Sequence, residues 1–404
     1  MTAFRVINGD IAKPIGFKAT GVHGGIKKTE TLDLGLILSD KPATAAGVYT
    51  TNLFQAAPLQ VTQESIGKTG LLQAVIVNSG NANACTGSRG LDDAYTMQKL
   101  VADRFKIPAD AIAVASTGVI GEYLPMNKVE AGILKLPEAL NEDSGLRFSR
   151  AIMTTDLVEK IVCVEVDIND RVVTIAGTAK GSGMIHPNMA TMLGFVTTDA
   201  AIEQTFLEAS LKRATNETFN MITVDGDTST NDMVVVLANG MAGNIELNEQ
   251  HSDAETFYQA FCFVLRELAK KIARDGEGAT KLLEVEVKGA PNEETARQVA
   301  KSVIGSNLVK TAIYGADANW GRIICAVGYS GAAINPNTVD VSLGSIPVVK
   351  NSFPVPFSED EALIYLKGEN IVVHINLNQG ESKTTAWGCD LTYDYIKINA
   401  SYRS

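Results

Sequence analysis

Residues 180–200 read KGSGMIHPNMATMLGFVTTDA, too polar and glycine-broken for a core strand and too rich in Met, Ile, Leu and Phe for a solvent loop. The polar part, Lys180 to Thr191, is the best internal boundary, because no low-complexity linker or internal repeat offers another. Gly181 and Gly183 permit unusual backbone angles, and Pro187 restricts His186 to extended conformations. Such a loop can hold a peptide bond under strain, and strained backbone concentrates at functional sites. Thr191 sits between Ala190 and Met192, where its hydroxyl can attack the carbonyl of its own preceding residue. An N-to-O acyl shift at Ala190–Thr191, followed by hydrolysis, cuts the chain and frees the α-amine of Thr191. With an ordinary pKa of about 7.7–8.0, that amine suits general-base duty toward its own hydroxyl. A lone threonine is far more often structural, so the rest of the chain has to carry the case.

Working outward, residues 33–79 predict short strands in LDLGLILS, AAGVYTTN and LLQAVIVNS, each ended by Asp, Asn, Ser or Gly. Apolar spacing through Tyr95, Met97, Leu100, Val101 and Phe105 predicts a helix over 92–105, and a second covers 126–140. IVCVEVDIN and RVVTIAGTA flank Asn169-Asp170 and predict a hairpin. Helices are expected at 201–216, 252–274 and 292–304, and the last 65 residues return to strands, TAWGCDLTYDYIKIN among them. Strands and helices interleave without steady βαβ spacing. The expectation is an α+β fold in layered α/β/β/α form, with two packed lobes.

The 404 residues exceed one small core, and 45% hydrophobic with 20% charged residues is ordinary globular composition. A formal charge of −11 argues against nonspecific nucleic-acid binding, which depends on cations neutralising phosphates. It says nothing against anionic small substrates, which need only a local basic pocket. Cys85, Cys163, Cys262, Cys325 and Cys389 are scattered singly, so neither a disulfide framework nor a zinc site is indicated. The N-terminal stretch lacks a signal or transit pattern, and no apolar run approaches the roughly 18 residues that span a bilayer. The expectation is a cytoplasmic protein with no membrane partner.

The run KGSGMIHPNMATML is similar to the self-cleavage signature of ornithine acetyltransferases, also called glutamate N-acetyltransferases. The resemblance extends through VNSGNANACTG (77–87), ASTGVIGEYLPM (115–126), TVDGDTSTND (223–232), ARDGEGATK (273–281), GADANWGRI (315–323) and the terminal INASYRS. These blocks cover essentially the whole chain in the family's order. The resemblance implies a cut before Thr191 into an α chain of 1–190 and a β chain of 191–404, with two of each in the assembly. It implies that Thr191 then takes acetyl from N-acetylornithine, releases ornithine and passes the acetyl to glutamate, with no cofactor and no metal. Some members also accept acetyl-CoA, and no nucleotide-cradling motif here decides that point.

Residue by residue, the resemblance makes Thr117 and Gly118 the oxyanion-stabilising pair. Thr154, Lys180, Thr191, Glu277, Asn399 and Ser404 match substrate-contacting positions. Charge logic agrees for two of these. N-acetylornithine carries an α-carboxylate and a terminal ammonium, and Lys180 and Glu277 supply one opposite charge for each. Glycines on both sides of Glu277 also argue against an ordinary surface position in a helix. Glutamate as acceptor is harder to place, because its γ-carboxylate is repelled by Glu277. The chain closes on Ser404 where the family's commonest ending is Thr, which keeps the hydroxyl and drops one methyl.

Other motifs fail on inspection. DGDTSTND begins like a calcium loop, but its sixth position is Thr230 and its twelfth Val236. KGSG lacks the spacing of a phosphate loop, and the four histidines show no ligand-pair spacing. His186 invites a dyad with Thr191 that the resemblance does not need. Asn78, Asn81 and Asn83 read as turn formers. A rival reading is an N-terminal-nucleophile aminopeptidase or amidase with water as acceptor, and a third is an uncleaved amino-acid-binding protein.

Overall fold

The structure is a computed structural model that describes residues 4–140, 145–186 and 192–401. The chain forms two compact units. The first comprises Met1–Gly181, Asn188–Asn220 and Thr228–Leu268, the second Ser182–Pro187, Met221–Asp227 and Ala269–Ser404. Within the stretch 180–191 the chain leaves the first unit after Gly181 and is back in it by Met192.

The first unit is built on β1 (Phe4–Val6), β2 (Phe17–Val22), β3 (Leu34–Tyr49), β4 (Leu71–Asn81), β5 (Ile112–Val119), β6 (Lys160–Ile168), β7 (Arg171–Lys180), β8 (Leu193–Thr198) and β9 (Met233–Ala238). They form one nine-stranded sheet in the order β1-β6-β7-β8-β9-β3-β4-β5, with β2 paired to β3. Its helices are α1 (Ala57–Thr69), α2 (Gly87–Phe105), α3 (Met126–Ala139), α4 (Gly145–Ala151), α5 (Gln204–Glu217) and α6 (Ala254–Arg274), whose last turns pass into the second unit. Pairs β4–β5 and β8–β9 are parallel, and the rest are antiparallel. The long crossovers that parallel pairing demands contain α2 and α5.

The central strands are covered on both faces, which is why their sequences read as continuous apolar runs. In β4, Val75 and Val77 join one buried cluster while Ala74 and Ile76 join another. The first cluster includes Phe148 of α4 packed edge-on against Phe195 of β8, with ring centroids 5.4 Å apart. The second holds Met97 and Val101 of α2 with Val129, Ile133 and Leu136 of α3. All six residues of β9 are buried, and each large apolar side chain so covered contributes about 1.5–3 kcal/mol. The β6–β7 hairpin forms as expected. Asn169 and Asp170 both take positive φ (49° and 58°), the geometry of a tight hairpin turn.

The second unit contains β10 (Leu282–Ala290), β11 (Asp340–Leu343), β12 (Ile346–Lys350), β13 (Phe353–Pro354), β14 (Asn370–Asn376) and β15 (Ser382–Cys389), ordered β13-β12-β11-β14-β10-β15. Its helices are α7 (Glu293–Gly305), α8 (Asn307–Tyr314), α9 (Trp320–Gly328), α10 (Glu359–Leu366) and α11 (Tyr393–Ala400). β10 shows the alternation of a sheet with one core face, Leu283, Val285 and Val287 being buried between half-buried Glu284 and Glu286. Asn292 caps α7 by accepting from Thr295 N at 2.8 Å.

The layered α+β expectation holds, with corrections to individual elements. β3 is one 16-residue strand with a register irregularity between Leu38 and Ala43 rather than two strands. α1 lies where no helix was predicted, and α2 starts at Gly87. The terminal stretch is a strand only to Cys389. Thr392 then caps α11 by accepting from Tyr395 N, so TYDYIKIN runs as a helix.

Candidate active site

β4 and β5 end together in polar sequence. Their apolar runs AVIV and IAVA give way to NSGN and STG, and the parallel register sets Ser79 beside Thr117 and Gly80 beside Gly118. At Gly118 the two backbones nearly touch. A Cβ there would lie 2.3 Å from the Gly80 carbonyl carbon, and φ is +136°, so only glycine fits. Thr117 is 8% exposed. The asparagines expected as turn formers divide: Asn78 and Asn81 belong to β4, and only Asn83 takes a left-handed turn backbone, φ 47°. Asn78 donates to Asn81 O at 2.8 Å and accepts from Ser116 Oγ at 2.6 Å. Asn81 donates to Glu122 O and Tyr123 O, and Asn83 to Gly90 O. Asn231, ahead of β9, ties the two strand ends by donating to Ala82 O and Ser116 O.

Lys180 closes β7, and its Nζ donates to Thr117 Oγ1 at 3.3 Å. The next amide, Gly181 N, donates to Asp156 Oδ1 at 2.7 Å. Asp156 also accepts from Lys160 Nζ at 2.7 Å, in a pair whose side chains are both fully buried, and from Thr154 N at 3.0 Å. Burial alone would raise the Asp156 carboxyl, but the charges of Lys160 and Lys180 overcome it and hold the carboxyl well below the usual range. A fully buried carboxylate with three donors, one of them a cation at contact, is satisfied; without them it would not stay ionised.

Two further charges belong to this cluster. Lys27 Nζ donates to Leu32 O and Met153 O, and burial, with Lys180 adding repulsion and Asp33 opposing, lowers it to about 8. Asp232, just ahead of β9, is buried with no hydrogen-bond partner for Oδ2 among the described residues. Burial pushes its carboxyl well above the ordinary value, opposed by Ser229 and Lys180. The sequence reading missed Lys27, Asp156, Lys160 and Asp232. Only Asp156 and Lys160, four apart, carried even a weak local signal.

In the second unit, Glu277 is 6% exposed and its Oε2 accepts from Asn399 Nδ2 of α11 at 2.7 Å. Its own N donates to Ser182 O at 3.0 Å. Gly183 lies against the same carboxylate, where a Cβ would come within 2.4 Å of the carboxyl carbon. His186 Nδ1 bonds the Thr223 hydroxyl at 3.0 Å, and that hydroxyl gives its hydrogen to Ile185 O. The imidazole therefore carries its hydrogen on Nδ1, and burial, with Lys301 adding repulsion, lowers its pKa.

The predicted site residues thus fall into two groups. Thr117, Gly118, Thr154 and Lys180 come together in the first unit, with Asp156 joining Thr154 to the end of β7. Glu277 and Asn399 come together in the second. Ala190, Thr191 and Ser404 lie outside the described residues. Among the described residues no helix is long and apolar enough to cross a membrane.

Comparison with known proteins places these features in a family. The model of the ArgJ family matches residues 18–404. The chain is similar to the arginine biosynthesis bifunctional protein ArgJ of Geobacillus kaustophilus, 57% identical over 399 residues, or 99% of this chain and 97% of that one. It is equally similar to the protein of the same description from Bacillus cereus, 56% identical over 400 residues, 99% and 98% of the two chains. Among solved structures, an arginine biosynthesis bifunctional protein argJ from Bacillus halodurans matches with 59% identity and a TM-score of 0.52, covering 52% of this chain and 100% of that chain.

Proposed function

The chain belongs to the ArgJ family and is an acyltransferase of arginine biosynthesis, and from that premise we propose that it moves acetyl from N-acetylornithine to glutamate through an acetyl-Thr191 intermediate. The observation that carries the reading is the end of β5, where the Thr117 hydroxyl and the Gly118 backbone stand beside the Lys180 ammonium. A hydroxyl that accepts from an ammonium keeps its own hydrogen to give, which suits it to a developing oxyanion.

Maturation comes first. Thr191 Oγ adds to the Ala190 carbonyl carbon, the C–N bond breaks, and nitrogen takes up the proton. Water then hydrolyses the ester, leaving a carboxylate on Ala190 and the α-amine on Thr191. The Bacillus halodurans chain supports this step, because about half of this sequence accounts for all of it.

In the first half-reaction the α-amine takes the proton from Thr191 Oγ, which attacks the acetyl carbonyl of N-acetylornithine. Thr117 and Gly118 stabilise the tetrahedral oxyanion, and the departing ornithine amine takes a proton. Glutamate then reverses the sequence, its amine receiving the acetyl from the threonine ester. Lys180 and Glu277 are assigned to the substrate's opposite charges, with Thr154, Asn399 and Ser404 completing the contacts. The relatives are described as bifunctional, which supports a second activity, and for it we propose acetylation of glutamate from acetyl-CoA. The working assembly is assigned as two α and two β chains.

The test is ornithine release from N-acetylornithine by purified protein whose chain masses have been measured. Release that depends on glutamate and gives N-acetylglutamate is expected. Equal release with water alone favours the amidase reading, and an intact 43.0 kDa chain with full activity removes the threonine mechanism.

A further inference from the structure

Lys27 stands far from the site motifs in sequence, on the loop between β2 and β3, and one carboxylate fixes its backbone. Asp33, fully buried, accepts from four successive amides: Gly24 N at 2.6 Å, Gly25 N at 3.0 Å, Ile26 N at 2.7 Å and Lys27 N at 3.1 Å. Gly25 takes φ +86°, which lets the loop wrap that carboxylate. The loop is joined to the polar end of β4, since Ser79 N donates to Asp33 O at 2.9 Å.

The half-buried side chain then runs over that strand end. A Cβ at Gly80 would lie 3.0 Å from Lys27 Cγ, so the glycine makes room for the lysine stem. Gly80 is the residue that pairs with Gly118, and Ser79 stands beside Thr117. At the tip, Lys27 Nζ donates to Leu32 O at 2.9 Å and to Met153 O at 2.7 Å, next in the chain to Thr154. The ammonium is thus delivered to the strand ends that carry Thr117, Gly118 and Lys180, all of them in the first unit.

Both of those acceptors are neutral carbonyls, and an ammonium has three hydrogens, so a donor and the charge itself are still to be met. Burial outweighs the attraction of Asp33, and Lys180 adds repulsion against the smaller pull of Asp156, which lowers the ammonium to about 8. Asp33 is committed to its four amides, and Asp156 to Lys160 Nζ, Gly181 N and Thr154 N. Asp232, which faces Lys180, is held toward its protonated form by burial. Lys27, Lys160 and Lys180 therefore face Asp33 and Asp156 with one positive charge in excess. An anion beside Lys27 and Lys180 would replace their mutual repulsion with two attractions.

We infer that Lys27 is a further substrate-binding residue, which with Lys180 takes the α-carboxylate common to ornithine and glutamate. The inference rests on the acetyl-transfer reading proposed above and names the group that both substrates share. One carboxylate matches the excess charge, and the same amine without a carboxylate gains nothing from Lys27.

The experiment uses full-length wild-type protein, Lys27→Gln and Lys27→Arg. Ornithine, glutamate and 1,4-diaminobutane, which is ornithine without its carboxylate, are titrated into each by calorimetry, and acetyl transfer is measured on the same samples. Lys27→Gln keeps N–H donors for the Leu32 and Met153 carbonyls while removing the charge. It is expected to bind ornithine and glutamate about 10-fold to 100-fold more weakly than wild type, and 1,4-diaminobutane equally well. The loss should stand in KM for both substrates rather than in kcat. Lys27→Arg restores charge and donors and should recover most of the affinity. Wild-type affinity for both amino acids in Lys27→Gln overturns the inference. So does a loss that extends equally to 1,4-diaminobutane, or one that arginine does not recover, since either marks a merely structural role. A wild-type protein that binds neither amino acid and transfers no acetyl removes the function reading itself, and this inference with it.

Discussion

The ammonium of Lys180 donates a hydrogen bond of 3.3 Å to the hydroxyl of Thr117, joining the last residue of β7 to the polar end of β5. The bond polarises the hydroxyl and leaves its hydrogen free to point at a substrate oxygen. Under the function proposed above, Lys180 then serves the oxyanion through Thr117 as well as a substrate charge.

Thr117→Ala is accordingly expected to lower kcat by about 10²–10³-fold, the cost of one oxyanion donor, with little change in KM. Thr117→Ser should keep most of the rate. Steady-state acetyl transfer measures both, and a wild-type kcat in the alanine variant removes Thr117 from the site.

Gly118→Ala should fail for a different reason. Its Cβ would stand 2.3 Å from one backbone atom and 2.5 Å from another, Gly80 C and Asn81 N, with φ at +136°. Neither contact is the end of a flexible side chain, so β4 and β5 would have to part. We expect a loss of at least about 1–3 kcal/mol in denaturant unfolding. Stability equal to wild type would mean that the two strand ends separate freely.

Much of this was legible from sequence, for reasons that differ by element. The β6–β7 hairpin was readable because Asn169-Asp170 carries its own turn chemistry. The α5, α6 and α7 helices were readable from apolar spacing. The end of the chain was not, because Thr, Tyr and Ile favour strands when counted, whereas one hydroxyl, Thr392, starts α11. Thr117, Gly118, Lys180 and Glu277 stood inside motifs. Asp156, Lys160, Lys27 and Asp232 did not, because a buried charge is defined by partners that only the nine-stranded sheet assembles.

Asp156 and Asp232 should give stability opposite pH dependences. The Asp156 pKa is depressed, so its contribution is full above the unfolded value near 3.8 and is lost as pH falls through the lower folded value. The Asp232 pKa is raised, so its contribution is full below that unfolded value and is lost as pH rises through the folded one. Asp156→Ala removes the carboxylate that pairs with the buried Lys160 ammonium and should cost about 3–5 kcal/mol at neutral pH. Asp232→Asn should gain stability over wild type as pH rises from 5 to 9, on the order of 1 kcal/mol. Unfolding of the three proteins from about pH 3 to pH 9 checks both, and a flat difference for Asp232→Asn between pH 5 and 9 would mean that its carboxyl is ionised throughout.

Glu277→Gln separates the two substrates. The glutamine oxygen can still accept from Asn399 Nδ2, now 2.7 Å from Glu277 Oε2, so the local geometry should survive while the charge is lost. If Glu277 meets the ornithine ammonium, its removal forfeits a charge-assisted hydrogen bond of about 1.5–3 kcal/mol, or roughly 10–100-fold in kcat/KM for N-acetylornithine. Glutamate has a carboxylate where ornithine has an ammonium, so the same change relieves repulsion and should leave its kcat/KM unchanged or raise it. In a two-step transfer these constants report separate half-reactions and can be measured on one protein. A parallel fall for both substrates would mean that Glu277 supports the site as a whole and does not meet the ornithine ammonium.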